Sequence, residues 1–188
     1  MRDYLYLYSN KSNCLVCSGL EFEDIHNTLN LSHLILLSHD FDDAQRDDKS
    51  YLDYCDSHEL NSLSSNEIYN FGDLIFSDFD TIEKLGELSE LGISELLYFK
   101  HKHKPLNKVE IPNIGNRLLV AIHDNGWYLR CFFSNIMDKK KVLSFIKESF
   151  DVDFQDTILE DKAIWIHAGK LKTMQINANI DAVLNQML

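Results

Sequence analysis

Residues 117–133 constrain the fold of this chain more than any other stretch. Leu118-Leu119-Val120-Ala121-Ile122 and Trp127-Tyr128-Leu129-Arg130-Cys131-Phe132-Phe133 are nearly wholly apolar arms on either side of Asp124-Asn125-Gly126. Asn-Gly supplies the two positive-φ positions of a type I′ turn, whose twist suits a two-stranded ribbon. The segment therefore predicts a β-hairpin. Arms this apolar belong in the interior of a sheet, and Trp127 and Trp165 are both expected to be mostly buried.

Other segments supply strands and helices around that hairpin. Residues 3–9 alternate, with Leu5 and Leu7 on one face and Tyr4, Tyr6 and Tyr8 on the other. Asn10-Lys11-Ser12-Asn13 reads as a turn and Cys14–Cys17 as the return strand. Phe22, Ile25 and Leu29 recur at helical spacing, 33–38 is a continuous apolar strand, and 74–78 is another strand. Residues 65–71 suit a short helix. Asp80-Thr81-Ile82-Glu83 has the form of a capping box, opening two short helices that end before Pro105. Asp138 is expected to cap a helix with Val142, Phe145 and Ile146 inward, and 163–166 reads as a strand. Ile180, Val183, Leu184 and Met187 mark the face of a terminal helix. Residues 40–60 are expected to be a long surface excursion with one helical turn around Tyr51 to Tyr54. The fold class is α+β, with a mixed or mainly antiparallel sheet and several short helices packed on it.

At 188 residues and 45% apolar, the chain can close a core as a single domain, 1–188, with any soft division near 105–116. The N-terminus has no unbroken apolar run of signal-peptide form, and no stretch approaches the roughly 20 apolar residues a membrane span needs. Four cysteines (Cys14, Cys17, Cys55 and Cys131) do not make a disulfide framework. Together these predict a soluble cytoplasmic protein with reduced thiols and no membrane contact.

Few patterns carry chemistry. In Cys14-x-x-Cys17, strand spacing sets the two thiols on opposite faces, against a redox motif. Cys55 and His58 could complete a four-ligand zinc set with them, but the interval between the pairs is not that of known zinc sites. His39-Asp40 and His123-Asp124 each follow an apolar strand, where a histidine and a carboxylate can hold a divalent metal or form an oriented base. Asp124 already has a role in the turn. An EF-hand loop beginning at Asp40 fails, because Gln45 and Tyr51 stand where glycine and glutamate are required. Phosphate loops, nucleophile elbows and zincin helices are absent, so no cofactor is expected.

Charge is the distinctive feature. The net charge is −12. Residues 21–60 carry 11 acids against two bases, whereas 96–117 carry five bases against one acid. The basic run Lys100-His101-Lys102-His103-Lys104 falls at a helix C-terminus, where cations suit the dipole. An acidic chain is repelled by nucleic acid, so none is expected as a partner. Asp40, Asp42, Asp43, Asp47 and Asp48 form the expected binding face for a basic protein. The functional expectation is a protein-binding module, an immunity- or antitoxin-type neutraliser of a basic partner, and not an enzyme. The alternative is a metal-dependent hydrolase using His39, Asp40 and nearby carboxylates.

Overall fold

The arms of the central hairpin pair as the sequence predicts. In the computed structural model, strands β7 (Leu118–His123) and β8 (Tyr128–Phe133) run antiparallel, from Leu118 opposite Phe133 to His123 opposite Tyr128. The structure describes residues 4–9, 13–65, 73–123, 128–154, 162–167 and 170–175, so the turn at 124–127, Trp127, most of 65–71 and the terminal segment 176–188 lie outside the described residues.

Around this hairpin, β1 (Tyr4–Ser9) and β2 (Cys14–Ser18) lead into α1 (Phe22–Leu29). β3 (Leu34–Ser38), β4 (Gln45–Arg46) and β5 (Asp53–Cys55) lead into α2 (Ser57–Ser65). β6 (Leu74–Asp78) precedes α3 (Ile82–Leu85) and α4 (Glu90–Lys102), and β8 feeds α5 (Ile136–Phe150). β9 (Lys162–His167) and β10 (Lys170–Gln175) form a last hairpin. The strands make one sheet in the order β10-β9-β1-β2-β8-β7-β6-β3-β5-β4, and every pairing among the described residues is antiparallel. This is an α+β fold.

Alternation along each strand divides the core into two layers. Leu5, Leu7, Leu15, Cys17, Val120, Ile122 and Cys131 point to one face, where they meet Ile25 of α1, Leu60 and Leu63 of α2, and Val142 and Ile146 of α5. Cys14, Val16, Ile35, Ile75, Leu119 and Phe132 point to the other, beneath Leu85 of α3, Leu96 and Phe99 of α4, and Ile111 and Ile114 of the segment before β7. That is why β3, β6 and β7 are apolar at consecutive positions: both of their faces are covered.

Several expectations shift. The acidic excursion contains β4 and β5, which extend the sheet, and its helix is α2, beginning at Ser57 rather than near Tyr51. Asn135, not Asp138, caps α5: Asn135 Oδ1 accepts from the Asp138 amide at 2.9 Å, and Asn135 Nδ2 donates to Asp138 Oδ2 at 2.9 Å. Thr81, not Asp80, is the N-cap residue of α3, while Asp80 pairs with Lys84. Trp165, by contrast, is mostly buried as expected, edge-on to Tyr6.

Candidate functional site: an acidic sheet edge

After β3 the chain leaves the sheet at His39 and returns as β4 and β5, so the acidic segment builds one edge of the sheet. The loop from Asp47 to Leu52 is closed by its own hydrogen bonds. Asp47 N donates to Leu52 O at 3.0 Å and Tyr51 N to Asp47 O at 2.9 Å. Asp47 Oδ2 accepts from Lys49 N at 3.1 Å, Ser50 N at 2.6 Å and Ser50 Oγ at 2.7 Å. Burial alone would raise the Asp47 carboxyl; the donors of Ser50 and Lys49 overcome this and hold it below its ordinary range. Tyr51 sits in the left-handed region, φ 58°, with 69% of its surface exposed.

Further carboxylates are also spent locally. Glu59 Oε2 accepts from Asp56 N at 3.0 Å and Asp56 Oδ1 from His58 N at 2.7 Å, a reciprocal pair that satisfies one amide in the first turn of α2 and the amide just before it. The other Glu59 oxygen accepts from Gln45 Nε2 at 2.9 Å, and Tyr54 Oη donates to Gln45 Oε1 at 2.8 Å. The Tyr54 phenol is raised by burial and then by the charges of Asp47, Asp56, Glu59 and Asp48, a direct sign of the negative potential here. Asp40, Asp42, Asp43 and Asp48 remain. All four are exposed, and none forms an ion pair among the described residues. Asp47 differs from them because its carboxylate organises the loop.

The histidines fall into two separate groupings. His39 Nδ1 accepts from Phe41 N at 3.1 Å, and Nε2 lies 3.4 Å from Asp53 Oδ2, so both ring nitrogens already have protein partners. Asp40 points to solvent. His123 Nδ1 lies 3.1 Å from Asp73 Oδ2, and its ring sits 4.4 Å from that of His103, whose carbonyl accepts from Arg130 Nη1 at 3.1 Å. Burial and then the charge of His123 lower the His103 imidazole. His58 is exposed on α2. No group of three or more His, Cys, Asp or Glu side chains gathers at metal-binding distance among the described residues. Cys14 faces one core layer and Cys17 and Cys55 the other; all four cysteines are buried free thiols.

A cleft of about 330 Å³ is lined by Asn30, Ser32, Asp78, Phe79, Asp80 and Arg117. Its charged groups are engaged with one another: Arg117 Nε donates to Asp78 Oδ2 at 3.0 Å and Arg117 Nη2 to Leu29 O at 3.2 Å, while Asp80 holds Lys84. Gly115, at φ +68°, abuts the Asp80 carboxylate, where a side chain would collide with it. No helix among the described residues is long and apolar enough to cross a membrane.

Sequence reasoning missed Asp53 and Asp73 as the partners of the two histidines. Both depend on strand register: β6 pairs with β7 so that Leu74 faces Ile122, which sets Asp73 beside His123. No spacing along the chain encodes that juxtaposition. The exposure of Tyr51 was missed for a similar reason, since it follows from the loop's internal hydrogen bonds. No protein-family model, curated protein or solved structure matches this chain.

Proposed function

We propose that this protein is a protein-binding module that docks a basic partner through the β4–β5 edge, in the manner of a neutralising immunity protein or antitoxin. One observation carries the reading: Asp40, Asp42, Asp43 and Asp48 are exposed together without an ion pair among the described residues. Like charges held together repel, and a partner's lysines and arginines would relieve that repulsion. Tyr51 supports it, being a large amphipathic side chain presented beside the carboxylates; tyrosine is enriched among the residues that dominate binding energy. No specific observation favours the hydrolase alternative at His39 and Asp40.

The test begins with capture from native cell extract at low salt, followed by kinetics on the purified captured protein. The comparison variant replaces Asp40, Asp42, Asp43 and Asp48 by Asn and keeps Asp47, whose loss would open the loop. Association of a basic protein is expected to slow at least about tenfold between 0.05 and 0.5 M salt, and by a similar factor in the variant. Failure to capture a basic protein, or equal rates for wild type and variant, refutes the reading.

A further inference from the structure

We propose that the outer face of α4 receives a second copy of this chain, antiparallel and about a twofold axis. The inner row of α4 (Gly92, Glu95, Leu96 and Phe99) is buried, yet Leu91 and Leu97 stand 61% and 51% exposed on its other sides. A helix apolar on several sides is ordinarily covered on several sides. The outermost row is Glu90, Ser94, Leu97 and His101, spaced four, three and four, all exposed along one line of the helix. Ser94 is its small member. The Ser94 hydroxyl donates to Glu90 O at 2.8 Å, so a second helix can approach closely without having to supply it a partner.

Charge selects both the occupant and its direction. Glu90 opens α4 and Glu87 lies just before its N-cap, Ser89; Lys100, His101 and Lys102 close it and Lys104 follows its C-cap, His103. None of Lys100, Lys102 and Lys104 is in an ion pair among the described residues. A twofold axis passing level with the Glu95–Leu96 bond sets Leu97 over the second copy's Ser94 and Glu90 against its His101, with Glu87 and Lys104 in the segments that flank the two ends. Both ends of the interface then match acid to base, and the two helix dipoles run antiparallel. A parallel arrangement would set acid on acid and base on base. One helix of 13 residues spans about 20 Å, so the contact is smaller than the standard interface of about 800 Å² a side. The dimer is accordingly weak and reversible.

Sedimentation velocity of the full chain, from 1 µM to 1 mM at low salt, tests this. Wild type is expected to pass from monomer to dimer across that range. Leu97→Asp is expected to stay monomeric with an unchanged melting curve, because Leu97 contributes little to the core. Two charge variants complete the test: one carries Glu87→Lys and Glu90→Lys, the other Lys100→Glu and Lys104→Glu. Neither is expected to associate with itself, and mixing them is expected to give a heterodimer, since each then meets opposite charge at both ends. A wild type monomeric at every concentration overturns the proposal. So does a dimer indifferent to Leu97→Asp, or a mixture of the charge variants that stays monomeric.

Discussion

Asp78 ties the end of β6 to the start of β7 through a single buried carboxylate. It is buried at the end of β6, and its Oδ1 accepts the backbone amides of Arg117 at 2.7 Å and Leu118 at 2.8 Å, while Oδ2 accepts Arg117 Nε at 3.0 Å. Burial pushes its carboxyl above the ordinary range even against those donors, so ionising it costs the folded state. Asp78→Ala removes the acceptor for two amides at the start of β7 and leaves Arg117 unmatched. Each unsatisfied buried donor costs about 1–3 kcal/mol, so a loss of about 3–5 kcal/mol is expected in denaturant unfolding. Asp78→Asn keeps a carbonyl oxygen for the amides and should lose about half as much. Equal losses would mean that the ion pair, not the amide contacts, carries the effect. Nothing in the sequence singles this residue out: it is one of 30 acids, and its partners lie 39 and 40 residues away.

At the scale of elements, legibility followed the kind of force that holds each one. Helices α1, α4 and α5 and strands β1, β3 and β7 bury apolar rows, and rows of side chains at helical or strand period are visible in a single sequence. β4 and β5 were hidden in an acidic segment because polar links do much of the work there. Tyr54 donates to Gln45, and Gln45 donates to Glu59 on α2, so a chain of hydrogen bonds ties the two-residue strand β4 to the body. Such links have no period. Gln45→Ala breaks both bonds at once, removing about 1 kcal/mol of local stability for each. Hydrogen exchange at the amides of β4 and β5 is expected to quicken about tenfold or more, with the global melting temperature nearly unchanged. A matching drop in global stability would place this edge inside the cooperative core. The cap of α5 was misplaced by three residues because Asn135 and Asp138 bond reciprocally, and either one alone has the look of a cap.

The whole molecule is organised by two hairpin–helix units, β1-β2-α1 and β7-β8-α5, joined where β2 pairs with β8 at the centre of the sheet. Their helices lie on the same face and touch each other. No repeated block in the sequence announces this arrangement, because burial requires only apolar residues at matching positions, not the same residues. Packing on both faces brings histidines partly out of water at two distant places. His26 of α1 stacks on Phe22, and its Nδ1 has no hydrogen-bond partner among the described residues. His103 ends α4 in the left-handed region beside His123. Burial lowers both imidazoles below 6.5, more than Glu23 can offset at His26, and the charge of His123 adds to the effect at His103. The unfolded chain then binds more protons than the folded one just below pH 6.5, so their contribution to stability is full above that pH and is lost as pH falls through the folded values. Asp47, Asp56 and Asp138, all held below the ordinary carboxylate range, lose theirs only at lower pH, while the raised carboxyl of Asp78 acts in the opposite sense. The difference between wild type and a His26→Gln/His103→Asn variant isolates the histidines, and asparagine tolerates the backbone conformation at 103. Unfolding free energies measured by urea at pH 7.5, 6.5 and 5.5 should fall more steeply with acid for wild type than for the variant. Parallel slopes would show that neither imidazole is held neutral by the fold.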